Sequence, residues 1–158
     1  FLQGLTPPAG SKSVEELKQI VSWAQRPFIL KGIMTARGAE KALEAGASGI
    51  VVSNHGGRVL DHCPATAEVL PEIVDAVGGK MTIFVDGAIR SGMDMFKALA
   101  LGADAVLIGR PFVTTVYGGG EEGVQLYVQK LKAELADTMR MCGAHSLADI
   151  KRSMLFGF

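Results

Sequence analysis

The chain has 158 residues, 48% of them hydrophobic, which suffices for one packed core and is too apolar for a disordered segment. Lys plus Arg number 16 and Asp plus Glu number 16, so the formal charge is +0 and the basic field that nucleic-acid binding needs is absent. The longest apolar runs fall far short of a bilayer span, so neither nucleic acid nor membrane is an expected partner.

Taken in chain order, the pattern alternates helix and strand. Ser13-x-x-Glu16 has the form of a capping box and predicts a helix to about Ala24, with Val14, Leu17, Ile20 and Val21 on one face. Pro27 ends it, and residues 28–31 read as a strand. Thr35 is expected to cap a helix that runs to Ala45 and stops at Gly46. Gly49-Ile50-Val51-Val52 is a second strand. Thr66 is expected to cap the next helix, through Val77, with Val69, Leu70, Ile73 and Val77 inward. Residues 82–85 form a strand, residues 93–101 a helix ending at Gly102, and residues 105–108 a strand. After Gly118-Gly119-Gly120 a long helix is predicted to Met141, and Ser146 is expected to cap a short last one.

An internal repeat supports this parse. Residues 42–53 align with residues 98–109, and Lys31-Gly32 aligns with Asp86-Gly87, so the chain reads as two (βα)2 units. Short, nearly all-apolar strands suit a parallel sheet covered on both faces, with right-handed crossovers. A (βα)8 TIM barrel needs eight such units and about 250 residues. The expected fold is therefore α/β, a half barrel of four βα units forming a single domain over residues 1–158. Its two open sheet edges predict association, with a missing half of the barrel or as a homo-oligomer.

Cys63 and Cys142 show no CxxC spacing, and free thiols in a cytoplasmic setting are expected. Residues 1–4 have neither a basic start nor a long apolar stretch, so no signal peptide is expected. A start at Phe1 without Met suggests a processed product or a fragment. His62 and Cys63 are adjacent rather than at metal-ligand spacing, and no metal site is expected.

Three strands end in glycine plus polar or charged residues: Ser53-Asn54-His55-Gly56-Gly57-Arg58, Asp86-Gly87-Ala88-Ile89-Arg90-Ser91-Gly92 and Gly109-Arg110-Pro111. Such loops at the carboxyl ends of parallel strands assemble one site. Imidazole as a class titrates near neutrality, which makes His55 a candidate base. Arg58 offers a planar fork for a carboxylate.

Together with Leu60 and Asp61, these three runs resemble the FMN-dependent α-hydroxy-acid dehydrogenase/oxidase family, over residues 14–154. The likeness covers strands five to eight of the family barrel, its carboxyl-terminal half. It implies FMN as cofactor and oxidation of a small L-2-hydroxy acid, of the lactate or glycolate type, to the 2-oxo acid. It implies His55 as the catalytic base in contact with substrate and Arg58 as the carboxylate clamp. Lys31 would place positive charge beside the flavin N1–C2 carbonyl. Ser53 would hydrogen-bond the flavin, and Asp86 would accept from ribityl hydroxyls. Gly87, Ala88, Ile89, Arg90, Gly109 and Arg110 would hold the phosphate. Ala88 stands where the family usually has a second glycine.

In the family, the amino-terminal half brings tyrosines near the substrate and the Asp that orients the histidine. This chain alone is expected to be inactive without them. Two alternatives stay open: a non-catalytic half barrel that binds phosphate or flavin, and another FMN barrel enzyme, against which the His-Gly-Gly-Arg run argues. Oxidase and dehydrogenase are not distinguished, nor is the particular 2-hydroxy acid.

Overall fold

Ser13 opens the first helix through the reciprocal bonds its spacing predicts. Its hydroxyl accepts from Glu16 N–H at 3.2 Å, and the Glu16 carboxylate accepts from Ser13 N–H at 2.7 Å. The structure, a computed structural model, describes residues 10–157; residues 1–9, including the stretch read for a leader, and residue 158 lie outside it. Helix α1 (Val14–Ala24) turns Val14, Leu17, Ile20 and Val21 inward, yet each is only half-buried. Lys18 reaches Glu44 of α2 (Ala36–Glu44) at 3.1 Å. Both ends of that pair are exposed, so it contributes at most about 1 kcal/mol.

Four parallel strands follow in spatial order β1-β2-β3-β4. They are β1 (Ile29–Ile33), β2 (Gly49–Val52), β3 (Thr82–Val85) and β4 (Ala105–Val106). Alternation along each strand sends one row to each face. Ile50 and Val52, in register with Ile83 and Val85, pack under α2, α3 (Thr66–Val77) and α4 (Gly92–Ala100). There they meet Ala39, Ala42, Leu70, Ile73, Val77, Ala98 and Leu101 in one buried cluster. Each large side chain so buried contributes about 1.5–3 kcal/mol. The other row, Lys31, Val51, Phe84 and Ala105, forms the concave face that a closed barrel would enclose. Gly49 lets β2 and β3 pair closely, because a Cβ there would lie 2.8 Å from the Thr82 carbonyl.

Four expectations need correction. Thr66 is not a helix cap: Ala65 is, with its N–H bound by Glu68 at 2.6 Å, while the buried Thr66 hydroxyl donates to the Asp86 carbonyl at 2.7 Å. Strand β4 ends at Val106 rather than residue 108; Leu107 N–H still reaches the Val85 carbonyl at 2.9 Å, but among the described residues no fifth strand lies beyond this edge to extend the ladder. The long helix begins at Arg110, not after the glycine triplet. Pro111, which has no N–H to leave unpaired, sits in its first turn. Helix α5 (Arg110–Met141) is broken at Gly120, where φ is 54° and ψ is −138°. Its two segments fold back on each other, so a Cβ on Gly123 would lie 2.6 Å from the Thr115 carbonyl. Finally, Ser146 starts only a single 3-10 turn, Leu147–Asp149.

Candidate functional site

The first two strands slip in register between Lys31 and Ile33, at Gly32, whose φ is 95°. Gly87, its counterpart in the repeat, has the same φ of 95°. Positive φ at both positions favours residues without a Cβ. Strand alternation puts Lys31 and Asp86 on the concave face just before these bends, and the two meet: Lys31 Nζ pairs with Asp86 Oδ2. Lys31 Nζ also donates to Ser53 Oγ at 2.7 Å, and His55 N–H donates to the same hydroxyl at 3.1 Å. Asp86 Oδ1 is buried with no hydrogen-bond partner among the described residues. An orphaned buried carboxylate oxygen calls for a donor from outside the chain.

The His55 loop is built by Asn54. Its Oδ1 accepts from Gly56 N–H at 3.0 Å and Gly57 N–H at 3.2 Å, and its amide donates to the Pro64 carbonyl at 3.2 Å. This Asx turn holds His55, Gly56 and Gly57 at φ of 57°, 72° and 71°. It leaves the His55 and Arg58 side chains exposed. The Arg110 side chain crosses over the turn, so a Cβ on Gly56 would lie 2.8 Å from Arg110 Nη2.

One cavity of about 660 Å³ collects these groups. Lys31, His55, Arg58, Asp86, Gly87, Ala88, Ile89, Arg90, Gly109 and Arg110 all line it. Ser53 does not; it lies buried beneath, joining Lys31 to the His55 backbone. Ala88 adopts a φ of 59°, a left-handed conformation that costs an L-residue about 1–2 kcal/mol. The ion pairs among the described residues involve neither Arg90 nor Arg110, so both guanidinium groups stay available to an anion.

The amino end of helix α4 is occupied by the protein's own carboxylates. Asp94 accepts from Arg90 N–H, Ser91 N–H and the Ser91 hydroxyl at 3.0, 3.0 and 2.8 Å. Burial works to raise the Asp94 pKa, but these hydrogen bonds and nearby Lys97 prevail and hold it below the usual value. Glu134 takes the Gly92 N–H at 2.9 Å. Past Ile89, this loop therefore offers an external anion only the Arg90 side chain.

Sequence reasoning missed Asn54, Thr66, Glu134 and Tyr127 as supports of the site. Asn54 carried a signal, standing with one residue between it and a pair of glycines, Gly56-Gly57. Thr66 resembled a cap. Tyr127 and Glu134 lie far along α5 and carry no local sign of their targets. Thr66→Val should cost about 1–3 kcal/mol, because it removes a buried donor from the Asp86 carbonyl, while Thr66→Ser should recover most of the loss. Urea unfolding midpoints measure it, and equal midpoints for the Val and wild-type proteins would show that the bond is dispensable.

The family model for FMN-dependent dehydrogenases matches residues 6–156. A peroxisomal (S)-2-hydroxy-acid oxidase of Oryza sativa subsp. japonica is 48% identical over 149 residues, 94% of this chain and 40% of the relative. The L-lactate oxidase of Roseobacter sp. (strain GAI101) is 44% identical over 146 residues, 92% of this chain and 40% of the relative. The crystal structure of a mandelate oxidase superposes with a TM-score of 0.85 at 43% identity, over 89% of this chain and 41% of that one. The chain thus spans about 40% of the length of the relatives it matches.

Proposed function

Since this chain belongs to the FMN-dependent dehydrogenase family, we propose that its site serves the FMN-dependent oxidation of a small L-2-hydroxy acid, of the lactate or glycolate type, to the 2-oxo acid. The observation that carries this reading is the gathering of His55, Arg58, Lys31, Arg90 and Arg110 around one cavity. The rice and Roseobacter relatives, by name, oxidise a 2-hydroxy acid and lactate. Because the chain spans about 40% of those relatives, the working unit is read as these four βα units closed by an amino-terminal half barrel, within a homo-oligomer. A cytoplasmic location is proposed on the two free thiols, Cys63 and Cys142.

The residues fit a flavin mononucleotide. The unpartnered Asp86 Oδ1 is an acceptor for a ribityl hydroxyl. Ser53 Oγ accepts from Lys31 and His55, which leaves its O–H to donate to the flavin. Lys31 would stand beside the N1–C2 carbonyl. Arg90 and Arg110 would neutralise the phosphate, with the backbone of Gly87, Ala88, Ile89 and Gly109 approaching it. FMN, when bound, supplies the two-electron acceptor. Arg58 would grip the substrate carboxylate with its planar fork and so fix the substrate's orientation. His55, on the same loop, would take up at its imidazole nitrogen the proton that oxidation releases.

The test is spectroscopic. The full-length protein, with the amino-terminal half barrel in place and purified with its flavin, is expected to be yellow and to bleach when L-lactate or glycolate is added without oxygen. A yellow preparation that no 2-hydroxy acid bleaches would favour a second reading, a non-catalytic flavin- or phosphate-binding half barrel. The partial coverage of the relatives is what supports that alternative.

A further inference from the structure

Arg90 and Arg110 sit on different elements, one in the loop after β3 and one at the start of α5, and a clamp made of both works only if their separation is held. One side chain touches both elements. Tyr127, on the second segment of α5, donates its hydroxyl to the Arg90 carbonyl at 2.9 Å. Its ring stands edge-on to Phe112, with centroids 5.1 Å apart and planes at 71°. Phe112 lies two residues beyond Arg110, on the first segment. Tyr127 itself lines the cavity.

We propose that Tyr127 is a positioning residue that fixes Arg90 and Arg110 as a single phosphate clamp. The inference rests on the reading of these arginines as the site of the FMN phosphate. It adds a residue whose effect falls on phosphate recognition and not on the ring or ribityl chain. The geometry suits this role. One face of α5 meets the loop twice, seven residues apart, through Tyr127 at Arg90 and Glu134 at Gly92. The Arg90 and Ser91 N–H groups are held by Asp94, so the carbonyl of Arg90 is the free handle on that stretch of backbone. Burial, then the carboxylates Glu134 and Asp94, push the Tyr127 pKa up, which keeps the phenol a donor.

Riboflavin, which has the ring and ribityl chain but no phosphate, separates the possibilities. The flavin-free full-length protein, amino-terminal half barrel included, is titrated with FMN and with riboflavin by fluorescence quenching, as wild type, Tyr127→Phe, Arg90→Met and the double variant. Tyr127→Phe keeps the ring on Phe112 and loses only the hydrogen bond. FMN should bind about three- to tenfold more weakly, the span of one hydrogen bond, with riboflavin affinity and melting temperature unchanged. In the Arg90→Met background the same substitution should add no further loss. An unaltered FMN-to-riboflavin ratio in Tyr127→Phe would overturn the proposal. Equal weakening of both flavins, or a markedly lower melting temperature, would overturn it in favour of simple packing. A wild-type protein that binds FMN no better than riboflavin would instead remove the phosphate reading, and the role of Tyr127 with it.

Discussion

His55→Gln should slow substrate-driven bleaching of the flavin by about 10²–10⁴-fold, the loss that follows removal of a general base. At about 1.4 kcal/mol per decade this raises the barrier by about 3–5 kcal/mol. Flavin affinity should hardly change, because His55 is tied to the site through its backbone N–H on Ser53 and not through its ring. His55 has a φ of 57°, a conformation that Asn accepts more readily than Gln, so His55→Asn serves as a second variant with less backbone strain. Stopped-flow absorbance at saturating substrate reads the rate. If both variants bleach as fast as wild type, the base lies elsewhere.

Gly92→Ala should be strongly destabilising. A Cβ there would fall 2.1 Å from Leu135 N and 2.6 Å from Glu134 C, both backbone atoms of α5. Helices α4 and α5 must then separate, the bond from Gly92 N–H to Glu134 is lost, and the loop that carries Arg90 moves with them. Overpacking of this kind costs about 1–3 kcal/mol and sometimes more. At about 2–4 °C per kcal/mol for a chain of this size, the melting temperature should fall by roughly 6–12 °C at the upper end. Gly118→Ala is the control: no atom lies within 4 Å of its Cβ position, and the helix should gain about 0.5–1 kcal/mol. A melt in which Gly92→Ala matches wild type would contradict the close approach of the two helices.

What the sequence reveals of this molecule follows from how local each cause is. Strand ends were legible because Ile50, Val52, Ile83 and Val85 are buried and apolar, so the first polar residue after each run stands out. The repeat even aligned Lys31 with Asp86, the two residues that pair in space. The glycine at each bend was visible, though not its positive φ, and Ala88 shares that conformation without any sign in its identity. Long-range partners were not legible. Thr66 has the identity and position of a cap, and only the arrival of the Asp86 carbonyl 20 residues later draws its hydroxyl away. The first segment of α5 had a local mark in Pro111, but three consecutive glycines outweighed it. Tyr127 stands between Leu126 and Val128 on a largely exposed helix, and nothing near it in the chain points to Arg90.

The sheet order repeats the chain order, β1-β2-β3-β4, and each strand pairs only with its neighbours in sequence. That is the connectivity of a stacked array, in which stability is close to a sum of units and nearest-neighbour interfaces. Assembly can then proceed from one end to the other as the polypeptide leaves the ribosome, each new strand and helix docking on a template already in place. The cost of closing each crossover is that of a short loop, paid one unit at a time. The fourth unit carries the shortest ladder, the two residues of β4, while its helix α5 reaches back to the loop after β3. The Arg90 loop therefore waits for residues about 40 positions downstream before it takes its final shape.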